Sequence, residues 1–313
     1  MINWQGRIDG KTPEHLRIHQ LVTPFKHEQE SGVVMLGFAC DEGVRRNQGR
    51  VGAAMAPDII RRQMANFAVH QDIHLYDAGN IACEGGDLED AQHVLAHTVQ
   101  DILEQHHLPI VLGGGHEVAL GSFSGLFNAY KAKAPRIGII NFDAHFDLRE
   151  DSIGSSGTPF LQIAKHLEAH GQEFHYLCLG ICENSNTQAL FSRAKDLKVG
   201  FIYDNQLTTK YMAKNLHQIE QFLEKVDIIH LSIDLDVFSY MQAPGVSAPA
   251  VLGVELGVIE QLLQVIFSSK KVRLADIAEC NPTYDIQHHT ARLAAYLTMD
   301  IIKTWSVLCK NGI

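Results

Sequence analysis

Eight short apolar runs recur along the chain, at 33–40, 74–81, 108–113, 136–142, 174–181, 199–203, 228–233 and 272–279. Most are continuous Val, Ile and Leu without polar alternation. A strand with one face in water alternates, so unbroken runs of this length belong to strands buried on both faces, as in a parallel sheet. Helix-length segments with apolar spacing near three and four lie between them, at 88–105, 119–131, 187–196, 206–224 and 255–268. A last segment, 292–309, reads as a terminal helix packing back on the sheet. This alternation predicts an α/β fold, a three-layer sandwich with a central, mostly parallel sheet. No linker rich in Pro, Gly or Ser, internal repeat or low-complexity tract divides the sequence, so a single domain over 1–313 is expected.

Composition narrows the function. The 313 residues are 46% hydrophobic, ample for a sizeable core. With 26 basic against 36 acidic side chains the formal charge is −10, which argues against a nucleic-acid partner. No apolar stretch approaches the ~20 residues that span a bilayer. The N-terminal residues 1–12 are polar and lack the apolar centre of a signal peptide, so the cytosol is the expected compartment. Cys40, Cys83, Cys178, Cys182, Cys280 and Cys309 show no paired spacing suited to zinc and read as buried thiols. Among the 18 histidines, His93, His97, His106, His107, His166 and His170 lie in helix-like or polar stretches and read as surface residues.

Three of the apolar runs end in potential metal ligands. The run at 136–142 leads into Asp143-Ala144-His145-Phe146-Asp147, whose alternate residues point to one side of an extended strand. Gly113-Gly114-Gly115-His116-Glu117 follows the run at 108–113, and Asp234-Leu235-Asp236 follows the one at 228–233. Four carboxylates and two imidazoles are costly to desolvate unless something positive sits among them. They are too many for one ion and suit a pair bridged by shared carboxylates. Hard oxygen ligands with some imidazole favour manganese, and the lack of thiolate argues against structural zinc. In an open parallel sheet, ligands bind beyond the carboxyl ends of the strands, where all three motifs lie. Blander readings accompany some of these residues. The triple glycine also makes a tight strand-to-helix turn. Glu117 reads as a first-turn residue favoured by the helix dipole, Arg45 as part of a solvated loop, Cys280 as core, and His288 and His289 as a helix N-terminal region without a role.

Taken together, these motifs resemble the ureohydrolase family, which includes arginase and agmatinase. Residues 49–64 resemble the family's N-terminal "G-A…P…I-R" segment, and Ala278-Glu279-Cys280-Asn281-Pro282 its C-terminal "E-x-N-P" segment. The resemblance implies an eight-stranded parallel sheet, two manganese ions per subunit, and homo-oligomers, often trimers or hexamers. By residue matching, one ion takes His116, Asp143, Asp147 and Asp234. The other takes His145, Asp143, Asp234 and Asp236, with Asp143 and Asp234 bridging. The implied chemistry is attack of a hydroxide shared by the two ions on an amidine or guanidine carbon. Glu279 matches the glutamate that contacts the cationic group, and Asp147 could accept the hydroxide's proton.

One loop departs from arginase and agmatinase. Where they carry His-Gly-x-Pro, this chain has Ser155-Ser156-Gly157-Thr158-Pro159-Phe160, with Ser156 in place of the proton-shuttling histidine. A serine cannot deliver a proton near neutral pH as an imidazole can, though it can cap a turn. The pattern resembles the formimidoylglutamase branch, as does the run 41–50. That branch implies hydrolysis of N-formimidoyl-L-glutamate to L-glutamate and formamide, a step of histidine breakdown. A substrate with one amidine and two carboxylates needs cations. Arg149, two residues past a ligand, is the first candidate, and Arg46 and Arg50 follow; Ser156 completes the set. A guanidino-acid ureohydrolase releasing urea is the alternative activity. A non-catalytic homologue would have lost a ligand, and a single-zinc deacetylase would need a second histidine beside His116.

Overall fold

A computed structural model describes residues 4–310, with side chains through 307. Its strands are β1 (Thr23–Pro24), β2 (Val33–Ala39), β3 (Leu75–Ala82), β4 (Leu108–Leu112), β5 (Ile137–Phe142), β6 (His175–Ile181), β7 (Gly200–Tyr203), β8 (Ile228–Asp234) and β9 (Val272–Ala278). The helices are α1 (Ile18–Leu21), α2 (Glu42–Arg46), α3 (Ala56–Met64), α4 (Leu88–Glu104), α5 (Val118–Tyr130), α6 (Pro159–Ala169), α7 (Gln188–Asp196), α8 (Met212–Leu223), α9 (Leu256–Ser268) and α10 (His289–Lys310). The strands form one sheet in the order β1-β3-β2-β4-β9-β8-β5-β6-β7, and the pairings are parallel throughout.

The eight apolar runs became β2 to β9, each within a residue or two of its expected bounds. The sheet has nine strands rather than eight, because Thr23–Pro24 adds a short edge against Tyr76 and Asp77 of β3. Two residues, one of them proline, carry no periodicity to read, and proline is tolerated at a sheet edge. Within β2, Val33 and Met35 enter one core while Val34, Leu36 and Phe38 enter the other. This is the period-two geometry of a strand with apolar residues on both faces. Helices α3, α8, α9 and α10 cover the first face, and α4 to α7 the second. Segment 206–224 becomes helical later than its periodicity suggests, since 3-10 turns at Asp204–Gln206 and Thr209–Tyr211 precede α8.

His107 departs from its expected surface place. It is buried between the rings of Phe25 and Tyr76, and its Nδ1 accepts from the Gly32 amide at 3.2 Å. His166 is half-buried against the ring of Phe127, 4.7 Å away, whereas His93, His97, His106 and His170 are exposed. Cys40, Cys178 and Cys280 are buried as expected; Cys83 and Cys182 follow the last residues of β3 and β6 and are half-buried. The side chain of Cys309 lies outside the described residues. Among those residues, no helix is long and apolar enough to cross a membrane.

Candidate metal centre

Four strands that are contiguous in the sheet, β4, β9, β8 and β5, deliver His116, Glu279, Asp234 with Asp236, and Asp143 with His145 and Asp147 beyond their carboxyl ends. The turn after β4 is stitched to its neighbours by backbone. Gly113 N donates to Ile277 O at 2.7 Å, Gly114 N to Phe38 O at 2.8 Å, and Gly115 N to Cys40 O at 3.0 Å. A Cβ on Gly114 would lie 1.6 Å from the Cys40 carbonyl oxygen, so only glycine fits. Asp147 and Glu279 both hold left-handed backbone, with φ of 49° and 65°. Such non-glycine residues cost free energy and persist where the surroundings over-determine them.

Two ligand groups result. Ligand atoms of His116, Asp143, Asp147 and Asp234 lie within 4.8 Å of one another, and so do those of Asp143, His145 and Asp236. His116 Nδ1 faces Asp147 Oδ2 at 2.9 Å and Asp143 Oδ2 and Asp234 Oδ2 at 3.1 Å each. None of the three oxygens is aligned as a hydrogen-bond partner of Nδ1, which is buried. Four donor atoms turned toward a common space, without a hydrogen bond among them at that nitrogen, fit a cation. In the second group His145 Nδ1 lies 2.9 Å from Asp236 Oδ2 and 3.5 Å from Asp143 Oδ1. Asp143 therefore serves both groups through its two oxygens. Asp234 turns Oδ2 to the first group, and its Oδ1 accepts from Asp236 N at 2.8 Å.

The electrostatics match a site built for positive charge. Burial pushes the carboxyls of Asp147, Asp234 and Asp236 above their ordinary range, and neighbouring carboxylates push further. Burial alone would lower His116, but Asp143, Asp147 and Asp234 hold it well above the usual histidine value. Burial raises Asp143 as well, yet His116 and His145 outweigh it and bring it below the normal range. Glu279 is raised by burial and by Glu117; its Oε1 accepts from His116 N at 2.9 Å while its Oε2 has no hydrogen-bond partner among the described residues. The side chains of His145 and Asp147, 22% and 12% exposed, face outward more than the other ligands and mark the mouth.

Behind the ligands stands a polar layer that the sequence motifs did not single out. His116 Nε2 pairs with Ser232 Oγ at 2.9 Å, Ser232 donates to Asp276 Oδ1 at 2.5 Å, and Asp276 Oδ2 meets His230 Nε2 at 2.5 Å. All four residues are buried. The signal was present: His230, Ser232 and Asp234 alternate along an otherwise apolar run, and so share one face of β8. Asn186 clamps the ligand loop after β5, donating to Ala144 O at 2.9 Å and accepting from Phe146 N at 3.0 Å. Nothing in the sequence around Asn186 announces this, because the contact spans about forty residues.

The three candidate arginines have different surroundings. Arg46 pairs with Glu42 at 3.0 Å and Glu89 at 2.6 Å and donates to Gly154 O at 3.1 Å. Its guanidinium is engaged by the protein, as a clamp on the loop after Asp147. Arg50 donates to the carbonyls of Ser247 and Val246 and stacks on Tyr284, with 4.3 Å to the ring centroid. Arg149 is exposed, and its guanidinium has no ion pair or hydrogen bond among the described residues. Its backbone N–H donates to Gly157 O at 2.9 Å, which closes the loop carrying Ser156. Ser156 Oγ accepts from Asn47 Nδ2 at 3.1 Å.

Residues 31–303 match the model of the arginase family. A protein of Chromobacterium violaceum named formimidoylglutamase is 48% identical over 299 residues, covering 95% of this chain and 96% of its own. The crystal structure of formimidoylglutamase from Bacillus subtilis superposes with a TM-score of 0.82 at 24% identity, covering 93% and 92% of the two chains. That of Trypanosoma cruzi formiminoglutamase with Mn2+ gives 0.79 at 24% identity, covering 93% and 98%.

Proposed function

The chain belongs to the arginase family, and from that premise we propose that it hydrolyses N-formimidoyl-L-glutamate to L-glutamate and formamide with two manganese ions per subunit. The observation that carries this is the pairing of two ligand groups sharing Asp143 with Arg149, which follows Asp147 by two residues and whose side chain has no ion pair or hydrogen bond among the described residues. His116, Asp143, Asp147 and Asp234 would hold one ion, and Asp143, His145 and Asp236 the other. When bound, such a pair supplies an activated water and stabilises developing negative charge.

The side chains do the rest. Glu279 Oε2, buried and without a hydrogen-bond partner among the described residues, is placed to accept from the cationic amidinium, whose charge offsets the cost of ionising that carboxyl. Asp147 lies closer to solvent than Asp143, Asp234 and Asp236, and is the carboxylate placed to take a proton from water and return it to the leaving amine. Arg149 offers a guanidinium to a substrate carboxylate, and Ser156 a hydroxyl at the same loop. Arg46 acts through the loop it clamps, and Arg50 through the carbonyls it holds. The wider setting is histidine degradation in the cytoplasm, by a homo-oligomer of one-domain subunits.

The test is to incubate manganese-loaded protein with N-formimidoyl-L-glutamate, agmatine, arginine and guanidinobutyrate, assaying formamide and urea separately. Glutamate with formamide, and inert guanidines, is the expected outcome. Urea from a guanidino acid would refute it.

A further inference from the structure

We infer that Asn141 and Tyr176 are positioning residues that fix how Asp143 is divided between the two metal groups; this rests on the two-ion reading above. Asp143 is a ligand that both groups share, and each of its oxygens is held separately. Oδ1, on the side of His145, accepts from the backbone N–H of His145 at 2.6 Å. Oδ2, which faces His116 Nδ1 at 3.1 Å, accepts from the side chain of Asn141 at 2.9 Å. One oxygen is set by the main chain and the other by a side chain.

Asn141 stands where an apolar residue is expected. It is fully buried in β5 among Ile137, Ile139, Ile140 and Phe142, and burying an amide costs free energy unless its hydrogen bonds are made. A carboxylate oxygen only accepts, so Nδ2 rather than Oδ1 has to face Asp143. The second hydrogen of Nδ2 goes to Tyr176 Oη at 3.1 Å, while Oδ1 has no hydrogen-bond partner among the described residues. Both donors of the amide are engaged and its acceptor is not, the pattern of a group kept for what it donates. Strand period sets its direction. Ile139, Asn141 and Asp143 alternate along the chain, and Ile139 pairs with Tyr176 on the parallel neighbour β6.

Tyr176 reaches the other arms of the site. Its Oη donates to Phe146 O at 3.2 Å, and Phe146 lies between the ligands His145 and Asp147. Its ring stacks on Phe160 at 4.6 Å with 25° between the planes, and Phe160 meets the His116 ring edge-on at 5.3 Å. Tyr176 and Phe160 are both buried. One side chain therefore touches, at one remove, Asp143, the loop 145–147 and His116. Neither Asn141 nor Tyr176 carries a formal charge, so the pair orients ligands without adding to the repulsion among the carboxylates. Orientation of this kind governs how tightly a metal is held.

The experiment titrates metal-free wild type, Asn141→Leu, Tyr176→Phe and the double variant with manganese by calorimetry. Leucine is close in shape to asparagine but cannot donate, and phenylalanine keeps the stacked ring without the hydroxyl. Wild type should take up two tight ions per chain. Asn141→Leu should weaken manganese binding about 10- to 100-fold, the range for partners that orient a ligand. Tyr176→Phe should weaken it by less, because Asn141 still reaches Asp143. The loss should fall more on one ion than on the other, since His145 N still holds Oδ1. The double variant should lose less than the product of the single losses, as for residues in one hydrogen-bonded chain. Electron paramagnetic resonance should show weaker coupling between the two manganese ions in Asn141→Leu. With N-formimidoyl-L-glutamate, kcat should fall at limiting manganese while KM holds, and excess manganese should restore part of kcat. Wild-type manganese binding in both single variants would overturn the inference. So would equal weakening of both ions together with a lower Tm of the metal-free protein, which marks a structural role. If Asn141→Leu does not fold, Tyr176→Phe decides by the same readings. Wild-type protein that takes up fewer than two ions would overturn the two-ion reading, and the inference with it.

Discussion

Arg149→Ala separates binding from stability more cleanly than any other substitution near the site. Arg149 is exposed, and its side chain makes no ion pair or hydrogen bond among the described residues. Its removal strands no buried partner, so the fold should change by no more than about 0.5 kcal/mol, as for a surface substitution. The cost falls on the substrate. Hydrogen bonds to charged groups contribute about 1.5–3 kcal/mol each. Solvent at this exposed side chain screens the pair, so about 2–3 kcal/mol for a two-pronged contact is the working figure. That is roughly a 30- to 150-fold fall in kcat/KM, carried by KM because the contact exists in ground and transition states alike. Formamide release at varied N-formimidoyl-L-glutamate, with Tm measured alongside, checks both halves. Added salt should narrow the gap between wild type and variant. Arg46→Ala is the internal contrast: it breaks pairs with Glu42 and Glu89 and a bond to Gly154, so its Tm should fall. An unchanged KM in Arg149→Ala, or equal Tm losses in both variants, would refute the division of roles.

Further outcomes follow from the site's construction. Gly114→Ala sets a Cβ 1.6 Å from the Cys40 carbonyl, so the turn bearing His116 must move; manganese titration by calorimetry should show loss of tight binding, and intact binding would contradict the fit. Ser232→Ala removes the bridge between His116 Nε2 and Asp276, and manganese affinity should drop about 10- to 100-fold, as for other partners that orient a metal-binding histidine. Burial raises the Glu117 carboxyl from 4.5 to about 7. A carboxyl raised by folding contributes its stability below its unfolded value and loses it as pH climbs through the folded one. Metal-free Glu117→Gln should therefore lose less stability than wild type between pH 4.5 and 7, by about 3 kcal/mol. Chemical unfolding across that range would show parallel curves if the carboxylate carried no such cost.

Much of the fold was legible because its causes are local. A buried parallel strand must be apolar on both faces, so β2 to β9 could be read from residue type alone, whereas β1 is a two-residue edge with no pattern to read. His107 shows the opposite failure. It follows a helix and looks like a surface residue, yet Phe25 and Tyr76, distant in sequence, close over it. The candidate metal ligands were legible as a cluster because each motif ends a strand, and strand ends of a parallel sheet share one edge. The arginines were not, because a guanidinium's partners are chosen by whatever the fold brings near.

By itself, then, the sequence determined which side chains could hold metal and that they would meet. Strand period and sheet direction are short-range properties, and together they place Asp143, His145 and Asp147 beyond the end of one strand. Tertiary structure decided what each ligand does. It turned both oxygens of Asp143 toward the two ligand groups, tied one oxygen of Asp234 to a backbone amide, and set Ser232 and Asp276 behind His116. It also spent Arg46 on Glu42 and Glu89 and left Arg149 open. Those outcomes depend on side-chain directions and on contacts between segments far apart in the chain, which no local pattern of residues encodes.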